Sequence, residues 1–99
     1  MDTTQKLELL KDVYSDDAAL DLVLGKLLEV TLSDYRLRLQ HYESALQEFE
    51  RRHEMVSAVF YRRFEEGELG DSMDFFEWAG LCELHQGLLR KIRHLEQAL

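Results

Sequence analysis

The apolar residues in the middle of the chain recur at alternating intervals of four and three residues. This set, called here the first stripe, consists of Leu28, Leu32, Tyr35, Leu39, Tyr42, Leu46 and Phe49. Such spacing is the heptad repeat of a helix that packs along one line against another helix. The chain contains no proline, so nothing removes a backbone donor from a helix interior. The pattern predicts one long helix over residues 17–53, about 55 Å long at 1.5 Å per residue.

A second heptad stripe runs to the end of the chain. This last stripe consists of Trp78, Leu81, His85, Leu88, Ile92, Leu95 and Leu99. It predicts a helix over residues 72–98, which begins after a cap at Asp71 or Ser72. Acidic residues near the predicted start and basic residues near the predicted end both suit the helix dipole.

A shorter helix and a turn lie between the two stripes. Val56, Phe60 and Phe64 share one helical face and predict a helix over residues 56–66. Two glycines follow within residues 67–71, where left-handed backbone conformations can end a helix and turn the chain.

Residues 1–15 are compatible with a short helix, a short strand or a disordered segment. Leu7 and Leu10 suit a helix, whereas Leu7 and Leu9 suit a strand, and the window is too short to decide. Ser15 then supplies the capping residue that is typical of a helix start.

Together these elements predict an all-α protein with a single helical domain over residues 16–99. We expect the two long helices to pack antiparallel as a hairpin with a short intervening helix. The residues of the two stripes, from Leu28 to Leu95, are the expected interface of this hairpin or of a dimer. One hairpin leaves other apolar residues uncovered, namely Leu20, Leu24, Leu27, Leu28, Phe75 and Phe76. We therefore expect a homodimer that forms a larger helical bundle.

The charge of the chain is strongly acidic and unevenly distributed. The net charge is −8, and residues 1–34 carry −5, residues 35–64 carry +2 and residues 65–99 carry −5. This balance argues against a nucleic-acid partner, because phosphate contacts need clustered cations. A basic protein partner fits the acidic ends better.

Cysteine usage and hydropathy predict a location in the cytoplasm. The single cysteine, Cys82, has no partner for an internal disulfide, which fits a reducing compartment. No apolar run approaches the roughly 20 residues that a membrane-spanning helix needs, and the N-terminus lacks the apolar core of a signal peptide.

Residues 60–78 carry a resemblance to a known group of proteins. The stretch contains a "GELGD" turn at residues 67–71 and a "DFFEW" helix start at residues 74–78. It resembles small helical proteins of bacteria and archaea that share these motifs, and the likeness covers most of residues 20–96. Proteins of this kind are often encoded beside small toxin-like proteins. The resemblance therefore implies an antitoxin-like role.

The chain departs from the pattern of that group at one place. Where such proteins tend to have a glycine and then a serine or aspartate, this chain has Glu54, Met55 and Val56. Either the first two helices run together here, or tertiary packing alone maintains the break.

Two short motifs could hold a metal ion. Glu50 and His53 have the E-x-x-H spacing of di-iron carboxylate bundles, but such sites need a second motif and further inward glutamates. Cys82 and His85 form a lone C-x-x-H, whereas structural zinc needs four ligands. We expect a salt-bridged His53 and a hydrogen-bonded His85 instead, and no cofactor.

Acidic residues cluster around the predicted turn. The members are Glu65, Glu66, Glu68, Asp71, Asp74 and Glu77. They can engage the arginines and lysines of a basic partner, or they can serve as caps, dipole partners and solvated acids. Trp78, Phe75 and Phe76 beside them are more typical of a core or an interface than of a ligand platform.

These observations predict a non-catalytic helical module that binds another protein, in its most specific form an antitoxin-like neutraliser of a basic, neighbour-encoded toxin. The sequence leaves two alternatives open. One is a dimeric DNA-binding regulator in which residues 6–30 form a strand–helix unit, although the charge of −5 over residues 1–34 opposes it. The other is a small metal-binding bundle around Glu50 and His53. No phosphate-binding glycine loop and no motif of a serine or cysteine nucleophile is present.

Overall fold

The chain is all-helical in a computed structural model, which describes residues 1–14 and 17–99. Four helices occur among these residues and no strand: α1 over Thr3–Val13, α2 over Asp17–His53, α3 over Ser57–Glu65 and α4 over Met73–Ala98. The predicted all-α class is thus confirmed. None of these helices is long and apolar enough to cross a membrane.

Helix α1 begins with reciprocal capping bonds. The backbone N–H of Gln5 donates to Asp2 Oδ1 over 2.8 Å, and the backbone N–H of Asp2 donates to Gln5 Oε1 over 2.9 Å. These bonds pair two of the four donors that a helix start leaves unsatisfied. The start of the chain is therefore a helix and not a strand. No residue of α1 is buried. The cap predicted at Ser15 lies outside the described residues.

Helices α2 and α4 lie side by side with opposite chain directions. Arg36 pairs with Glu96 over 3.5 Å near one end of the contact, and Arg52 pairs with Asp74 over 2.9 Å near the other. Between these ion pairs, members of the first and last stripes pack against each other in two clusters.

The two clusters form the core of the described structure. The Trp78 cluster consists of Leu46, Phe60, Trp78, Ala79 and Cys82, with Phe49, Phe75 and Leu81 among its partly buried neighbours. The Leu88 cluster consists of Leu32, Leu88 and Ile92, with Tyr35, Leu39, Tyr42 and Leu95 packed against it.

Some residues behave differently from the sequence expectation. Leu99 is exposed, because the helix ends at Ala98, so the last stripe stops at Leu95. Leu20 is buried, and Phe75 packs against the Trp78 cluster. These two residues are therefore covered within the chain and do not need a second molecule to cover them.

The break between α2 and α3 lacks the residues that usually make one. Glu54 has a positive φ of 53°, and the backbone N–H of Met55 donates to the carbonyl of Glu50 over 3.2 Å. This is the geometry of a helix end that glycine normally provides. Val56 makes no capping bond with its side chain. Instead, Glu50 Oε2 accepts the backbone N–H of Ser57 over 2.7 Å. The last turn of α2 therefore supplies the cap of α3.

The molecule is much longer than it is wide. Its extents are 59 × 24 × 19 Å and its radius of gyration is 19.5 Å, whereas a compact chain of this length has a radius of about 13 Å. Helix α2 has 37 residues and α4 has 26. The first part of α2 therefore extends beyond α4, where α1 is its neighbour in the chain.

Candidate partner-binding surface

The α3–α4 turn rests on an aromatic stack around Trp78, which is fully buried. The ring of Trp78 stacks on Phe60 with centroids 3.7 Å apart and on Phe49 with centroids 5.7 Å apart. The indole N–H donates to Ser57 Oγ over 3.0 Å, which satisfies the one polar group of this buried side chain. Trp78 is thus part of the core of this chain, and it holds α2, α3 and the start of α4 together.

The turn itself has a defined geometry. Gly67 has a φ of 72°, and its N–H donates to the carbonyl of Phe64 over 3.1 Å. The N–H of Glu68 donates to the carbonyl of Arg63 over 3.0 Å. These two bonds form a Schellman motif, which requires a left-handed residue. Ser72 then caps the start of α4, and its Oγ accepts the N–H of Phe75 over 3.3 Å.

Two of the six predicted partner-binding acids are paired within the chain. Asp74 Oδ2 accepts a bond of 2.9 Å from Arg52, and His53 Nε2 lies 3.3 Å away. The bond from Arg52, followed by that from His53, lowers the pKa of Asp74. Glu68 accepts a bond of 3.1 Å from Arg63. These two carboxylates therefore stabilise the fold and are not available as unpaired acceptors.

Two further acids interact with side chains of their own neighbourhood. Glu65 lies near the hydroxyl of Tyr61, which donates its one hydrogen to Glu83 over 2.8 Å. The acceptor carboxylate of Glu65, and then that of Glu83, raise the pKa of Tyr61. A hydrogen bond from the neighbouring carboxyl of Glu66 while that group is protonated, and then the bond from Arg63, lower the pKa of Glu68.

Asp71 and Glu77 make no ion pair with another described residue, and both are exposed. They flank two exposed apolar side chains on the first turn of α4. Met73 is 72% exposed and Phe76 is 51% exposed, and positions 73, 76 and 77 share one face of a helix. The ring of Phe76 contacts Phe64 edge-on over 5.6 Å. We call Asp71, Met73, Phe76 and Glu77 the turn surface.

The residues of the two metal-like motifs have other partners. Glu50 caps α3, whereas His53 faces Asp74 and stacks on Trp78 over 5.5 Å. His85 Nε2 lies 3.3 Å from Glu43 Oε1. Within residues 1–14 and 17–99, no three His, Cys, Asp or Glu side chains are grouped so that they could hold a metal ion.

An open groove that no sequence motif indicates lies between α2, α3 and α4. It has a volume of about 560 Å³ and is lined by Glu43, Leu46, Gln47, Glu50, Ser57, Ala58, Tyr61, Cys82, His85, Gln86 and Leu89. Burial, and then the charge of Glu50, raise the pKa of Cys82 to about 11. The thiol at the base of this groove is therefore protonated at neutral pH, which is the unreactive form of cysteine.

A heptad pattern by itself could not reveal this groove. Glu43 and Glu50 lie beside the first stripe, at positions that ordinarily carry charged residues along the edge of a two-helix contact. Helix α3 forms the third wall of the groove, because it places Ser57 and Tyr61 next to Glu43 and Glu50. Comparison of the chain with known protein families, curated proteins and solved structures finds no match.

Proposed function

We propose that the protein is a non-catalytic helical module that binds another protein, and that its turn surface covers a basic face of that partner. In its most specific form, this is the antitoxin-like neutralisation that the motifs of residues 60–78 imply. The frame of the module is an antiparallel hairpin of α2 and α4. The observation that carries the proposal is the exposure of Phe76 and Met73 between Asp71 and Glu77, two acids that form no ion pair with another described residue.

The physical basis is the combination of an apolar anchor with unpaired charge. Aromatic side chains in the centre of a contact supply most of the binding energy at protein interfaces. Carboxylates at the rim accelerate encounter with a basic partner and select against acidic ones. Because Phe76 packs on Phe64, its ring is held in place before binding, which reduces the entropy that association loses.

The paired acids have a different role in this mechanism. Asp74 and Glu68 hold the turn to α2 and α3 through Arg52 and Arg63. Reversing their charge would disturb the fold together with the partner contact. Asp71 and Glu77 are therefore the residues with which to test binding.

The test is co-expression of the chain with its chromosomal neighbours, followed by affinity measurement on the identified complex. We expect the double variant D71K/E77K and the single variant F76A each to weaken the complex by tenfold or more, which corresponds to about 1.4 kcal/mol. The matched control is E8K/D12K, which reverses two exposed acids of α1 and should bind like the wild type. A complex that survives D71K/E77K and F76A unchanged contradicts the proposal.

A further inference from the structure

Helix α2 carries an exposed apolar stripe in addition to the first stripe. Val23, Leu27, Val30 and Leu37 are each between 44% and 60% exposed. Together with Asp34 they are spaced by four, three, four and three residues, which is again a heptad repeat. At 100° per residue, this outer stripe lies well over a quarter turn from the first stripe. It therefore faces away from α4.

The accessible surface of the chain is larger than that of a compact protein of the same mass. The accessible surface is 7452 Å², whereas a compact protein of 11.7 kDa exposes about 5,900 Å². The excess of about 1,600 Å² exceeds the roughly 800 Å² that each partner buries in a standard interface. The apolar residues of α1 add to this exposed area, since none of them is buried.

We propose that the outer stripe is the homodimer interface, and that two copies pair antiparallel about a two-fold axis near Val30. The sequence predicts a dimer, and the structure assigns it this surface. Such an axis places each residue opposite a counterpart whose number adds with its own to about 60. Val23 then lies opposite Leu37 of the second copy, and Val30 lies opposite Val30 of the second copy. This is an isologous contact, the commonest type in homodimers.

Asp34 within the outer stripe and Lys26 beside it favour the antiparallel arrangement. Lys26 lies at the level of Asp34 of the second copy, so opposite charges meet twice across the axis. A parallel pair would place the two Asp34 side chains at the same level of the interface, where like charges repel. Lys26 has only a weak, exposed ion pair of 3.4 Å with Glu29, so its ammonium can turn toward a second chain.

Sedimentation of the full chain between about 1 and 100 µM tests the proposal. We expect the wild type to sediment at twice 11.7 kDa and L27E to sediment as a monomer. The matched control is L84E, a leucine of similar exposure on α4, which should remain dimeric. Trp78 lies in the core at the far end of α2, so an unchanged emission spectrum shows that L27E is folded. A monomeric wild type, or a dimeric L27E, overturns the proposal.

Charge exchange tests the orientation. In the antiparallel pair, K26D and D34K each raise the dimer dissociation constant, and the double variant K26D/D34K returns it to within about threefold of the wild type. Lack of rescue would overturn the two-fold axis near Val30. None of the five variants changes a residue of the turn surface, so a loss of dimerisation can be distinguished from a loss of partner binding.

Discussion

Glu54 is the residue whose replacement most directly tests how α2 ends. Its φ of 53° is a left-handed conformation that costs a residue with a side chain roughly 1–2 kcal/mol. The side chain is exposed and accepts no bond that the break requires. Glycine adopts this conformation without that cost, although it gives the unfolded chain more freedom, worth about 0.5–1 kcal/mol. We expect Glu54→Gly to stabilise the protein by about 0.5–1 kcal/mol.

The assay is urea unfolding followed by Trp78 emission, at one fixed protein concentration because dimerisation contributes to stability. In a thermal unfolding experiment on a chain of this length, a change of 1 kcal/mol corresponds to a shift of about 4–8 °C in Tm. The control is Glu54→Ala, which removes the same side chain but keeps the left-handed strain, and which should leave the stability nearly unchanged. If Glu54→Gly is no more stable than Glu54→Ala, the strain at the end of α2 is not as described.

Three other substitutions have expected outcomes. Gly67→Ala should destabilise the fold by about 1 kcal/mol, because its φ is 72° although the space around it is open; thermal unfolding measures this. Glu50→Ala should lower stability by about 1 kcal/mol in urea, since it leaves the N–H of Ser57 without its cap, whereas Glu50→Gln should retain most of it. Arg52 and His53 lower the pKa of Asp74. The charged carboxylate therefore stabilises the folded state at neutral pH. This stabilisation is lost when the pH falls below about 4 and the carboxylate of the folded protein becomes protonated. The urea midpoint of Asp74→Asn should therefore lie below that of the wild type at pH 7 and approach it in acid; equal midpoints at pH 7 would refute the role given to this ion pair. Finally, the Cys82 thiol, with its pKa raised to about 11, should react with a disulfide reagent on the order of 100-fold more slowly in the native state than in urea.

The helices of this protein follow from local features of the sequence. Heptad spacing places the first and last stripes each on one helical face, and the structure has helices over Asp17–His53 and Met73–Ala98. Ser72 and Gly67 mark the start of α4 and the end of α3, because a cap and a left-handed residue act within one turn of the chain. The same dependence on local pattern explains why the sequence does not distinguish a helix from a strand in residues 1–15. This short window contains too few apolar residues to separate the helical repeat from the alternation of a strand.

Tertiary contacts decided which polar residues are available for function. Asp74 and Arg52 are 22 residues apart. No local pattern therefore shows that Asp74 is paired, whereas Asp71 and Glu77 have no ion-pair partner among residues 1–14 and 17–99. Glu50 caps helix α3, which begins seven residues later. This contact allows the chain to break between α2 and α3 although residues 54–56 include no glycine or serine. A sequence records the spacing of residues along each helix, but the partner of a side chain depends on which helix lies beside it. That arrangement exists only after α2, α3 and α4 have packed around Trp78.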